Sequence, residues 1–372
     1  MAEDRLIPRR HEGWARDIES TPPGPRTAYQ RVLRDALAPN VSVLYRNMRG
    51  PPTEAAAAPP RFREISETAK LDAPGVADVP GERLCDWGAV NDDLIVWVGD
   101  INNGAGYSGC IFARNMHTRR LGRVAALATG GRVKAVRWNP GCTLVGMAMN
   151  AGVVCVDAAA GRPGWECASL GVTRTVEWRD NHVAASCTPT GVVVYDIRLA
   201  RNAMAPLNMA RASVTAWVDH GIAVAGGGTV VVYDIRKFAH GVQIVRSHDE
   251  TVTALDWRSQ LLAVGTSGGD VSVLRTAGME TLARAGDGLV GIMWGPRGRG
   301  IVTLTETTHL VAHNASVRAQ AHCASRPLYM VRNGDRTRVV VVTANEVAAA
   351  FEVYPPQPAE RSREPERRGL IR

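Results

Sequence analysis

The sequence predicts an all-β chain whose core is a seven-bladed propeller, and three observations carry that prediction. Trp87, Trp138, Trp178, Trp217, Trp257 and Trp294 each close a short alternating apolar run, at successive gaps of 51, 40, 39, 40 and 37 residues. Each run is followed by further apolar runs rich in β-branched residues, three or four strand lengths to a period. Gly, Asn and Asp separate the runs; they supply tight turns and disfavour helical repeats of the same period.

The first runs read LCDW, AVRW, TVEW, VTAW, ALDW and GIMW, and a seventh, PLYMV, puts Val331 in the same place without the indole ring. Second runs include TLVGMAM, HVAASC, IAVAGG, LLAVGT and IVTLT; third runs are GVVCVD, GVVVYD, TVVVYD, DVSVLR, THLVAH and EVAAAF. Residues 61–354 therefore hold seven blades of about 42 residues, the usual size of such a unit. The long first gap marks a first blade enlarged by an insertion around GDINNGAGYSG.

Two arms flank this core. Nine of the 21 prolines lie in residues 1–60 with the stretches TPPGP and PPTEAAAAPP, so this segment is expected to be disordered. Within it, AYQRVLRDAL sets Tyr29, Val32, Leu33, Ala36 and Leu37 at helical spacing, enough for one short helix that needs a partner to be stable. Residues 355–372 form a second arm expected to be disordered, polar and rich in Arg.

Composition narrows the function. With 372 residues, 45% apolar and 22% charged, the chain can bury a sizeable core. The net charge of +8 is spread along the sequence, which argues against a nucleic-acid footprint and for a solvated basic surface. No apolar run is long enough for a membrane span, and the first residues carry charges where a secretion signal needs an apolar stretch. Seven cysteines without a CxxC pair make neither a disulfide framework nor a zinc site. A reduced, soluble protein of cytoplasm and nucleus is expected, with no cofactor.

Enzyme chemistry finds little support. His309 and His313 lie four apart, which on a strand is about 13 Å, too far for a shared metal. The glycines at 226–228 lack a phosphate-loop context, and Ser247, His248 and Asp249 are consecutive, whereas a triad converges from separate parts of a chain. A non-enzymatic protein is expected.

The repeat resembles WD repeats: YDIR at 195–198 and 233–236 stands where the Trp-Asp signature falls, and SHDETVTALDW supplies the preceding His. That resemblance assigns His248 and Asp270 to the structural hydrogen-bond set of one blade.

Three further motifs stand around the propeller. Asp4-Arg5-Leu6-Ile7-Pro8 precedes it, Ile371-Arg372 follows it, and RFREISETAKLDAPGVADVPGERLCDW leads into it, with Leu71 sixteen residues before Trp87. In this order they resemble the Fizzy family, coactivators and substrate adaptors of the anaphase-promoting complex, a large ubiquitin ligase. The first motif is similar to the family's C-box, with Leu6 in place of the usual aromatic, and the second to its Ile-Arg tail, held by a tetratricopeptide-repeat subunit. An Arg fork on acidic groups beside an apolar Ile-Pro pair suits such docking.

The resemblance also implies a receptor for destruction boxes. Asp72 and Glu346 match the two carboxylates that pair with the degron's Arg, and Leu71 matches a residue lining the pocket for its Leu; a two-carboxylate clamp, drawn from the first and last blades, suits a guanidinium. Substrates of the cyclin and securin type follow. For the second receptor, which takes Lys-Glu-Asn boxes, Arg326 matches one basic residue, but Val79-Pro80 replaces the expected aromatic pair and the paired Asn residues are absent. Val43 and Leu44 followed by Pro51 match the segment that a spindle-checkpoint protein grips by strand addition, with Ser42 where a basic residue is usual. The implied function is a coactivator that recruits destruction-box substrates to the ligase; the alternative is a WD-repeat scaffold or inhibitory member that binds the ligase without delivering substrates.

Overall fold

The computed structural model describes residues 65–73, 81–100, 107–129, 131–150, 152–168, 172–199, 203–219, 221–235, 246–247, 249–258, 260–275, 278–298, 300–314 and 317–355. These fall in the second of the two units into which the chain divides, Pro59–Arg372. They form seven four-stranded antiparallel sheets, the blades of a propeller.

In chain order β1 (Ser66–Asp72) comes first, followed by β2 (Cys85–Trp87), β3 (Asp93–Asp100), β4 (Tyr107–Asn115) and β5 (Leu121–Thr129), which make the first blade. The second blade is β6 (Val133–Trp138), β7 (Leu144–Met149), β8 (Gly152–Asp157) and β9 (Arg162–Ala168). The third is β10 (Glu177–Trp178), β11 (Val183–Thr188), β12 (Gly191–Asp196) and β13 (Ala203–Asn208), and the fourth β14 (Ala212–Val218), β15 (Gly221–Gly226), β16 (Thr229–Asp234) and β17 (Arg246–Ser247). The fifth is β18 (Val252–Arg258), β19 (Leu261–Thr266), β20 (Asp270–Arg275) and β21 (Gly278–Arg284), and the sixth β22 (Leu289–Trp294), β23 (Ile301–Thr305), β24 (His309–Asn314) and β25 (Val317–His322). The seventh is β26 (Pro327–Arg332), β27 (Arg338–Thr343) and β28 (Val347–Glu352), completed on its outer edge by β1.

That last pairing corrects one expectation. Leu71 and Asp72 belong to the last blade, not the first: β1 runs antiparallel to β28 with Leu71 opposite Ala348 and Asp72 opposite Val347. The physical reason is closure of the ring. A first strand left in its own blade would leave first and last blades joined only by side-chain contacts, whereas donating it hydrogen-bonds the beginning of the propeller to its end and covers an open edge. The same junction is held by Arg338, whose guanidinium reaches both carboxylate oxygens of Asp92 at 3.0 Å and lies over the Trp87 ring at 4.9 Å. Gly334 is required here, because a Cβ would sit 2.1 Å from the Ala89 carbonyl oxygen.

The tryptophan ruler marks the innermost strand of each blade, and Val331 stands in the seventh such strand. Middle strands pack against neighbouring blades on both faces, so they read as continuous apolar runs; Val339, Val340, Val341 and Val342 are all 0% exposed. Outer strands have a face in water, as the mostly exposed β5 illustrates. The core is accordingly a ring of apolar clusters between successive blades, one of them spanning the seventh, first and second blades through Leu71, Trp87, Trp97, Trp138 and Val342. The enlargement of the first blade resides in its longer β3 and β4, of eight and nine residues.

Of the WD-like features, Tyr195 is fully buried at the end of β12, and Asp196 beside it binds Arg198 through paired hydrogen bonds. Asp270 joins the hydrogen bonds of its blade through its main-chain N–H, which donates to the Thr266 hydroxyl at 3.1 Å. Its carboxylate lies 3.6 Å from Arg284, and the Thr266 hydroxyl in turn donates to the Glu250 carboxylate at 2.7 Å. His248 lies outside the described residues. His309 packs its ring on His322 with centroids 4.4 Å apart, while His313 bonds Thr303 at 3.2 Å, so the two histidines of β24 have separate partners. Among the described residues no helix is long and apolar enough to cross a membrane.

Candidate functional site

The sheet of the seventh blade brings three of the sequence-derived residues to one edge. Running outward from the channel, that edge holds Arg326 just before β26, the turn from Thr343 to Glu346 between β27 and β28, and Asp72 at the end of β1. Asp72 is opposite Val347, and the main-chain N–H of Ala73 donates to the Glu346 carbonyl at 2.7 Å. Asp72 and Glu346 are therefore neighbours across one ladder, on a rim where Asp72 is exposed and Glu346 half-buried. Arg326 is also exposed, and its carbonyl accepts the N–H of Ala344 at 2.8 Å. Three strand spacings separate β26 from β1, about 14 Å, so Arg326 is a separate contact point nearer the channel.

Glu346 owes its position to a left-handed backbone, which closes this type of turn. The N–H of Glu346 closes a turn on the Thr343 carbonyl at 3.1 Å, and the Thr343 hydroxyl donates to the Val347 carbonyl at 2.9 Å. Its φ of 60° is left-handed, a conformation that favours glycine. The fifth blade has Gly269 at the equivalent turn position, with φ 88°. The sixth blade has Thr308 there, with φ 79°, so the left-handed residue belongs to this type of turn and not to Glu346 alone.

Leu71 is only 7% exposed and packs in the core cluster of the seventh, first and second blades. The remaining sequence-derived residues, Asp4, Arg5, Leu6, Ile7, Pro8, Val43, Leu44, Pro51, Ile371 and Arg372, lie outside the described residues.

A second feature was missed by reading the sequence. The seven inner strands enclose a channel cavity of about 330 Å³ whose lining includes Arg83, Asp86, Arg137, Glu177, Asp256 and Arg336. The residue before each Trp faces this channel, which gives Asp86, Arg137 and Glu177 in the first three blades but Ala216 and Met293 in the fourth and sixth. Arg137 bridges Asp86 at 2.7 Å and Glu177 at 2.9 Å, with Arg83 3.9 Å from Glu177. Burial works to lower the Arg137 pKa, but Glu177 and Asp86 more than offset it, so the guanidinium is held more firmly protonated than usual. Arg83 goes the other way, lowered by burial and by repulsion from Arg137. The signal available in the sequence was the charged residue ahead of Trp87, Trp138, Trp178 and Trp257.

The architecture and its repeats define a seven-bladed β-propeller of the WD-repeat type. No family model and no curated protein matches the chain. Solved structures match widely, 1524 chains in all, so a likeness of this kind speaks to architecture and not to activity. Among them is a chain from a crystal structure of the mitotic checkpoint complex, similar over 82% of this chain and 97% of its own, with a TM-score of 0.69 and 20% sequence identity.

Proposed function

We propose that this propeller is a substrate-recruiting coactivator of the anaphase-promoting complex, of the Fizzy type, in which Asp72 and Glu346 clamp the arginine of a destruction box. The observation that carries the reading is the adjacency of these two acids at one rim, linked through the Ala73 to Glu346 main-chain bond of 2.7 Å. The residues come from sequence positions 274 apart, and the resemblance to the Fizzy family implies the same pair. Two carboxylates at one rim can accept from more than one N–H edge of a guanidinium and double the opposing charge, beyond the bidentate pair that a single acid makes. The likeness to a chain of the mitotic checkpoint complex agrees with this reading at the level of architecture.

In this proposal the propeller performs no chemistry. It holds substrate on one rim, and residues 1–60 and 355–372 dock on the ligase through Asp4-Arg5-Leu6-Ile7-Pro8 and Ile371-Arg372. Weak motifs joined to one rigid body raise each other's effective concentration, so the arms are worth more together than apart. Arg326 is the proposed remnant of a site for Lys-Glu-Asn boxes, and Val43, Leu44 and Pro51 the proposed checkpoint segment. Action in cytoplasm and nucleus goes with this reading.

One observation favours the alternative, a scaffold or inhibitor that binds the ligase without delivering substrate. Leu71, assigned to the pocket for the degron leucine, is packed into the core and leaves little surface for a ligand. The two readings part in a ubiquitination assay with purified anaphase-promoting complex and a destruction-box substrate. The coactivator supports turnover that is lost both in Asp72→Ala/Glu346→Ala and in Arg5→Ala lacking residues 371–372; a scaffold binds the complex and yields no turnover even when intact.

A further inference from the structure

At the end of the channel opposite the acid clamp, three arginines converge on one carboxylate. β26 spans the blade from Pro327, next to Arg326, to Arg332, so Arg332 and the following loop lie about 17 Å or more from the Asp72 rim. From that loop Arg336, held at φ 63° and 6% exposed, reaches past the sixth blade to the fifth. Its guanidinium meets the Asp256 carboxylate and donates to the carbonyls of Trp257 at 3.2 Å and Trp294 at 3.4 Å. Arg332 stands 3.5 Å from the same carboxylate, and Arg258, two residues along β18, is on the same face of that strand. In the sixth blade Gly295 follows Trp294, where the fifth has Arg258 after Trp257.

The charges do not balance. Three guanidiniums face Asp256 alone, which leaves an excess of two positive charges, and one oxygen of Asp256 is already engaged by the Trp294 N–H at 2.7 Å. Asp256 is the only acid whose charge acts on Arg258 and Arg336 among the described residues; Asp335 turns back to the Thr337 N–H and hydroxyl, and Asp219 to the Trp257 indole at 3.3 Å. The Nε of Arg258 is buried and has no acceptor among the described residues. Burial and repulsion from Arg332 lower the pKa of both Arg258 and Arg336, that of Arg336 to about 10. By contrast, Arg83 and Arg137 elsewhere in the channel are matched by Asp86 and Glu177.

We propose that Arg258, Arg332 and Arg336, gathered around Asp256 at this mouth of the channel, form a binding site for a phosphate-type dianion. A doubly charged tetrahedral oxyanion neutralises the excess and offers acceptors to several guanidinium forks at once. The ion is either free or carried on a phosphorylated side chain, chemistry that the site recognises in the same way. This inference is independent of the proposed coactivator role, since it uses other residues at the other end of the blade.

The test measures binding to the full chain by isothermal titration, with inorganic phosphate, a phosphoserine peptide and its unphosphorylated counterpart as probes, each against chloride at matched ionic strength. Binding of phosphate or of the phosphoserine peptide is expected, with at least tenfold loss in Arg258→Gln/Arg332→Gln. A tenfold preference for the phosphopeptide over the free ion identifies a carried phosphate, and equal affinity identifies the free ion. Arg332→Gln alone, at a side chain 41% exposed, serves if the double variant fails to fold and is expected to weaken binding severalfold. No binding of either phosphate probe above chloride, or equal binding by the folded variants, overturns the site.

Discussion

The carboxylate of Asp86 accepts the main-chain N–H of Trp138, in the next blade, at 2.8 Å, and Asp256 does the same for Trp294 at 2.7 Å. Both acids immediately precede a Trp of their own inner strand, so an Asp-Trp pair fixes the neighbouring blade as well as its own. The indoles add a second link in the same sense: Trp138, Trp178 and Trp217 donate Nε1–H to carbonyls of the preceding blade at 3.1, 3.2 and 2.8 Å. Blade order is thus held by polar bonds around the channel as well as by apolar packing between sheets.

Removing Asp86 tests that arrangement. Asp86→Ala strips a buried Arg137 of one partner and leaves the Trp138 N–H unsatisfied, so a loss of about 3–5 kcal/mol is expected. Asp86→Asn keeps an acceptor for the N–H and is expected to cost about 2 kcal/mol, the value of a charged hydrogen bond. Urea midpoints of the two variants should therefore separate clearly, with Asn between Ala and wild type.

Buried thiols set the alkaline limit of stability. Burial pushes Cys155 up to about 12 and Cys187 and Cys323 up to about 11. The folded state thus keeps protons that the unfolded chain gives up near pH 8.5. Their contribution is complete below that pH and is lost as pH rises toward 11, by about 1.4 kcal/mol per unit for each thiol. Urea midpoints should fall from pH 8 to pH 10, and less so in Cys187→Ala relative to its own value at pH 8. In the native state a thiol reagent should label the half-buried Cys110 and Cys142 well before the buried five.

Glu346 opposes stability to function. Glu346→Gly relieves a left-handed backbone at φ 60° and is expected to stabilise the fold by up to about 1 kcal/mol. The same change deletes one carboxylate of the clamp. A variant that melts later but binds a destruction-box peptide more weakly is the expected outcome, whereas unchanged affinity would remove Glu346 from the site.

How much of this was legible in the sequence follows from whether the determinants are local. The Trp period, the turn residues and the apolar runs act within one blade, so they gave seven blades and the inner strands correctly. The family resemblance implies Asp72 and Glu346 as a pair but draws Asp72 from the first blade, because strand donation depends on where the ring closes and not on the local motif. The contact of Arg336 with Asp256 spans 80 residues and two blade boundaries. Nothing in the local pattern around Arg336 encodes it, since the reach depends on how the ring of blades brings the seventh and the fifth together at the channel.

The most direct test of the central claim is the affinity of a fluorescent peptide carrying an Arg-x-x-Leu destruction box for the full chain, compared with Asp72→Asn/Glu346→Gln. Both substitutions remove charge with little change in shape, so packing of the seventh blade is retained. The clamp predicts at least a tenfold loss of affinity, about 1.4 kcal/mol, and no further loss when the peptide's Arg is replaced. Equal affinity of wild type and double variant for the intact peptide would contradict it.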